Sequence, residues 1–160
     1  MKKKIILFVG FLLLIVLTAC STAKKTEATF KNADLNEEGH LVVHKEEIDN
    51  TATYINYEVD GVTIQIIAIK GSDGIVRLAF NTCEVCYPSP KAYFIKKEGY
   101  FECQNCGSRF PIDNLGTLSG GCNPKPVEEK TEEDEKIILS KEYVESQKEL
   151  FLNWNGPIKA

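Results

Sequence analysis

Apolar positions along the chain fall into one long block, then short alternating runs, then a single helical stripe. Residues 5–17 form an unbroken apolar block of thirteen residues behind Lys2, Lys3 and Lys4. A membrane span needs roughly 20 such residues, so the block has the length of a signal-peptide core instead. Residues 52–59 alternate β-branched and aromatic with polar positions, Asp60-Gly61 makes a turn, and residues 62–69 repeat the pattern. Asp-Gly between two such runs predicts a β-hairpin. Gly71-Ser72-Asp73-Gly74 is a second turn leading to a strand over 75–80, and Lys97-Glu98-Gly99 joins short strands at 92–95 and 100–102. Residues 127–136, rich in Glu, Lys and Thr, read as a solvated loop, because charge blocks seldom pack. A last strand is expected at 137–139. Ser140 then caps a helix from 141 to about 153, with Tyr143, Gln147, Leu150, Phe151 and Trp154 on one side as a packing stripe. The pattern predicts a mainly β (α+β) domain with a C-terminal helix and no internal repeat.

The apolar block ends in Leu17-Thr18-Ala19-Cys20, which resembles the lipobox of bacterial lipoproteins. The resemblance implies cleavage before Cys20 and thioether attachment of a diacylglycerol to it. Two acyl chains, at roughly 0.8 kcal/mol per buried CH₂, anchor far more firmly than one. The expected organisation is a signal peptide over 1–19, a lipidated flexible tether over 20–36, a metal-binding domain over 37–154 and a tail over 155–160. Such a chain sits at the cell membrane with its domain on the extracytoplasmic side. The net charge of −4 becomes −7 once the three lysines are removed, with 16 basic against 23 acidic residues. An acidic chain without a basic stripe is unsuited to nucleic acid. An apolar fraction of 43% supplies one ordinary core.

Six cysteines carry the chemistry. Beyond Cys20, five crowd into forty residues: Cys83 and Cys86, Cys103 and Cys106, then Cys122. Two CxxC pairs sixteen residues apart match tetrathiolate metal sites. Two intervening residues let both sulfurs of one turn point at a common centre, and a second turn completes a tetrahedron. Disulfides remain open as an alternative in an oxidising compartment, as does thiol–disulfide exchange. A redox-active CxxC usually opens a helix, whereas Cys83-Glu84-Val85-Cys86 follows a strand and runs into Tyr87-Pro88-Ser89-Pro90.

The stretch Ala79 to Tyr87 around the first pair, then Tyr100 to Phe110, then Gly120-Gly121-Cys122-Asn123-Pro124, resembles the FtrD-like family of membrane iron–sulfur-containing proteins. The likeness runs from about His40 to Val127, with Ala92 standing where the family pattern has glycine. It implies an iron–sulfur cluster or iron, and a part in iron uptake, with electron transfer beside an iron permease and other exported redox partners. The order of elements is also similar to Rieske domains, whose ligand pairs are Cys-x-His and Cys-x-x-His. That likeness implies a Rieske-like antiparallel β-sandwich with two CxxC ligand loops, covered by the Gly/Pro loop around Cys122. Four thiolates would give a lower potential than a two-histidine centre.

Cys83, Cys86, Cys103 and Cys106 are therefore the expected metal ligands, and Cys122 is a further ligand or a thiol beside the metal. Amides near Gly107 and Gly121 are candidates to hydrogen-bond the sulfurs, and Arg109 to offset their charge. His40 and His44 flank a strand-like Leu41-Val42-Val43 and read as surface residues. The chain has no nucleophile–base constellation, phosphate loop or telling carboxylate pair, which favours a redox carrier or accessory protein over an enzyme with its own substrate. The signal segment lacks a twin arginine, so export as an unfolded chain is the default. A cluster would then be acquired outside the cytoplasm, where zinc is the competing metal, because soft thiolates suit Zn²⁺, iron and Cu(I) alike.

Overall fold

The computed structural model describes residues 28–158. The strands are β1 (Thr29–Asn32), β2 (Asp34–Leu35), β3 (Leu41–His44), β4 (Thr53–Val59), β5 (Val62–Lys70) and β6 (Val76–Cys83). They continue with β7 (Phe94–Lys96), β8 (Tyr100–Cys103), β9 (Arg109–Pro111), β10 (Pro124–Pro126), β11 (Thr131–Glu132) and β12 (Lys136–Leu139), before helix α1 (Lys141–Ser146). They make a five-stranded sheet β1-β4-β5-β6-β10, a four-stranded sheet β11-β12-β3-β2 and a three-stranded sheet β7-β8-β9. Pairing is antiparallel except between β1 and β4. The fold is mainly β with one short C-terminal helix, as the alternating pattern predicts.

The five-stranded sheet is buried on both faces, and strand alternation decides which residue faces which neighbour. Ile64, Ile66 and Ala68 of β5, with Leu78 and Phe80 of β6, join a core closed by Leu41, Val43, Ile137 and Leu139 and by Tyr143, Val144, Phe151 and Trp154. The intervening Ile67, Ile69, Ala79 and Cys83 join a second core with Phe94, Phe101, Cys103, Phe110 and Leu115. Cys83 thus points toward the three-stranded sheet because it is in phase with Ala79 on β6.

A buried polar network fastens the two parts. Asn81 Nδ2 donates to Gln65 Oε1 at 2.8 Å, and its Oδ1 accepts from Phe94 N at 2.7 Å. Gln65 Nε2 donates to Asn56 Oδ1 at 2.7 Å and to the carbonyl of Pro157 at 2.8 Å, while Trp154 Nε1 donates to the carbonyl of Asn81 at 2.8 Å. Tyr54 adds a further link, its hydroxyl donating to Phe94 O at 3.3 Å and accepting from Lys96 N at 3.0 Å.

Three expectations change. The segment read as tether is sheet from Thr29 onward: β1 lies beside β4, and Phe30 stacks on Tyr54 with ring centroids 4.9 Å apart. That isolated aromatic packs, partly buried, against the second core, an apolar contact that offsets the freedom lost by a polar stretch. The helix ends at Ser146 and continues as a 3-10 turn over Lys148–Phe151, which delivers Phe151 and Trp154 to the core. Its start is as expected, the Ser140 hydroxyl accepting from Tyr143 N at 3.2 Å. The charged segment contains β11, two exposed residues paired with β12. The tail is tied back at Asn155, whose amide donates to Pro90 O at 2.8 Å. The signal segment and Cys20 lie outside the described residues.

Candidate metal centre

Each CxxC pair begins where a strand ends. Cys83 closes β6 and Cys103 closes β8. Both are sealed in the second core, at 0% and 1% exposure, while Cys86 is half-buried and Cys106 is exposed. The β7–β8 hairpin lies between the pairs and sets Phe94 opposite Cys103. Cys83 N donates to Ala92 O at 2.9 Å, and Gln104 N donates to Tyr93 O at 2.8 Å, so both ligand loops are stitched to the residues entering β7. Ala92 is fully buried there, without the positive φ that would call for glycine. Ser89 Oγ donates to Asn105 Oδ1 at 2.7 Å, joining the loops directly.

Two turns of the same kind result. In the first, the amides of Cys86 and Val85 hydrogen-bond the Cys83 sulfur, Cys86 N at 3.4 Å. In the second, the amides of Cys106 and Asn105 do the same for Cys103. Gly107, at φ +73°, lets the second turn close, but its amide donates to Cys103 O at 2.9 Å. The sulfur-directed donors are therefore the amides inside each CxxC, in the second turn those just before Gly107. Amides aimed at sulfur favour thiolate over thiol, the state that ligates metal.

The thiols converge. Cys86, Cys103 and Cys106 have sulfurs within 4.8 Å of one another, and so do Cys83, Cys86 and Cys122. Cys83 also hydrogen-bonds Cys103, and Cys86 interacts with Cys106. Sulfurs of a tetrahedral site with metal–sulfur bonds of ~2.3 Å stand roughly 3.8 Å apart, so this donor set fits a thiolate-bound metal. Electrostatics point the same way. Cys103 is drawn down to about 5 because the Cys83 thiol donates to it and two amides assist against burial. Cys83 is pushed up, since it keeps the proton shared with Cys103 and is buried. Burial raises Cys86, although the Asn105 side chain and Cys83 oppose that rise. Among the described residues neither histidine joins a cysteine cluster. His40 instead accepts from Lys141 N at 3.1 Å through Nδ1, at the start of α1. Arg109 lies over the Tyr100 ring at 4.8 Å and pairs with Glu102 at 3.4 Å.

A match to the family described as membrane iron-sulfur containing protein, FtrD-like, covers residues 48–151, more than half of the chain. The chain belongs to the FtrD-like family. No curated protein and no solved structure matches it. The family is described as membrane-associated and iron–sulfur-containing, and the converging thiols of this chain could hold a metal. Among the described residues no helix is long and apolar enough to cross a membrane.

The glycine-rich segment before β10 reaches the site through a residue the sequence reading passed over. Glu84, inside the first CxxC, accepts from Gly120 N at 2.6 Å and from Asn123 Nδ2 at 2.8 Å through Oε2. Asn123 Nδ2 also donates to Leu118 O at 2.9 Å, and Lys125 Nζ stands 3.5 Å from Glu84 Oε1. Asn81, two residues before Cys83 on β6, was missed likewise. The available clue was that Asn81, Glu84 and Asn123 are polar residues embedded in otherwise apolar or ligand-bearing stretches.

Proposed function

We propose that this chain is a lipid-anchored, extracytoplasmic iron–sulfur protein that carries electrons as an accessory component of iron uptake. The observation behind this reading is the convergence of two CxxC turns from separate hairpins, with Cys83 and Cys103 inside and Cys86 and Cys106 toward solvent. Cys83, Cys86, Cys103 and Cys106 would hold the metal. An iron–sulfur group there would supply one-electron chemistry, at a lower potential than a two-histidine centre. The protein's part is to hold thiolates with amide donors, exclude water from the inner pair and leave the outer pair toward the surface, Cys86 between exposed Val85 and Tyr87. A diacylglyceryl group on Cys20 would keep the domain at the membrane, beside an iron permease and exported redox partners.

Zinc-stabilised binding is the second reading, because thiols of both turns gathered this closely also suit one tetrahedral ion. Thiol–disulfide exchange is disfavoured, since both CxxC turns follow strands and neither opens a helix. Metal and acid-labile sulfide analysis of the full-length chain, purified anaerobically in detergent, separates these readings. Iron with sulfide and visible charge-transfer absorption is expected. Zinc without visible absorption would make the centre structural, and a metal-free chain with a reversible disulfide would favour exchange.

A further inference from the structure

Cys122 lies within 4.8 Å of both first-turn sulfurs but forms no such cluster with Cys103 and Cys106. Its placement is built from both sides. Before it, Gly120 at φ +77° and Gly121 at φ +146° take up backbone conformations that L side chains rarely adopt. After it, Pro124 pairs with Cys83 across the β10–β6 ladder, where the register shifts. Glu84 holds Gly120 and Asn123 from inside the first CxxC, and Glu84 N donates to Asn123 O at 3.3 Å. Every one of these ties runs to the first ligand turn, so Cys122 travels with Cys83 and Cys86.

We infer that Cys122 is a reserve ligand that replaces Cys86 on the metal, changing the set from Cys83/Cys86/Cys103/Cys106 to Cys83/Cys103/Cys106/Cys122. Cys86 is the exchangeable member. It is half-buried between two exposed residues, whereas Cys83 is sealed and receives two amide hydrogen bonds. Four thiolates are kept throughout, so the exchange needs no external redox partner: the Cys86 sulfur leaves as the Cys122 sulfur, having lost its proton to solvent, binds. In an oxidising compartment this preserves the centre when the half-buried Cys86 thiol is lost. The inference rests on the ligand set proposed above.

Cobalt(II) titration of the full-length chain, reduced and anaerobic in detergent, tests it, because the thiolate-to-cobalt absorption scales with the number of bound thiolates. Wild type and Cys122→Ser should both show four. Cys86→Ser should keep four and bind within about tenfold of wild type. The double variant Cys86→Ser/Cys122→Ser should fall to three and weaken more than roughly 100-fold, beyond what loss of an outer partner produces. Cys103→Ser should fall to three although Cys122 is present. Alkylation read by mass spectrometry gives a measurement on loaded chains alone: Cys122 should react in wild type and be protected in Cys86→Ser. Cys86→Ser behaving like the double variant, Cys103→Ser retaining four thiolates, or Cys122→Ser losing one would each overturn the exchange. A wild-type chain without a four-thiolate spectrum would instead overturn the underlying ligand set, and the inference with it.

Discussion

At the scale of single residues, the centre depends on polar side chains that are not ligands. Asn123 is buried and its amide holds Glu84, Leu118 O and Pro124 O together. Asn123→Ala removes those donors and leaves the loop around Cys122 loose. An unpaired buried acceptor costs about 1–3 kcal/mol, which denaturant unfolding of the metal-free protein should register. Cys122 should then alkylate faster than in wild type. A second expectation concerns tyrosine ionisation. Burial pushes Tyr54 up to about 12, and burial together with the Glu145 carboxylate does the same for Tyr57. Their folded-state values lie above the unfolded value near 10, so the folded protein binds more protons between those limits. The stability they contribute is complete below pH ~10 and falls as pH rises through ~12. Ultraviolet titration should show two phenols ionising near pH 12.

At the scale of elements, the decisive joint is between β6 and β7, because β6 ends in the first ligand turn and β7 pairs with β8, which ends in the second. Asn81 spans it, with Phe94 N on one side and Gln65 Oε1 on the other. Asn81→Ala leaves both unpaired inside the protein, an expected loss of about 2–4 kcal/mol. The same change should weaken metal binding roughly 10–100-fold without removing a ligand, as loss of an outer partner does. Equal metal affinity in the variant and wild type would show that the two turns are aligned by other contacts. This joint also marks the limit of what was legible. The hairpins around Asp60-Gly61 and Gly99 follow from turn chemistry, and Ser140 as a helix cap follows from its position before the apolar stripe. The break after Ser146 and the strand at Thr29–Asn32 are set by where Phe151, Trp154 and Phe30 find cover, which is a tertiary matter.

At the scale of the whole molecule, one doubly covered sheet separates two duties. The face toward β3, β12 and α1 supplies an ordinary aliphatic and aromatic core, and the face toward β7–β9 embeds the inner cysteines. Trp154 belongs to the first core, yet its indole reaches Asn81 O, two residues before Cys83. Trp154→Ala should cost about 3–5 kcal/mol of stability by thermal or denaturant unfolding. The spacing of the cysteines made the candidate ligands legible, since CxxC fixes two sulfurs locally. Convergence of the pairs was expected from that spacing, and an approach of Cys122 from the Rieske likeness, whereas its place beside the first turn was not legible, because that depends on β10 returning beside β6. The redox claim itself is tested most directly by an anaerobic potentiometric titration of the metal-loaded, full-length protein, following its visible absorption. A reversible one-electron step is expected below about −150 mV, the lower end for centres with two histidine ligands. An absorption that does not respond reversibly to potential, or a loaded protein with no visible absorption, would contradict it.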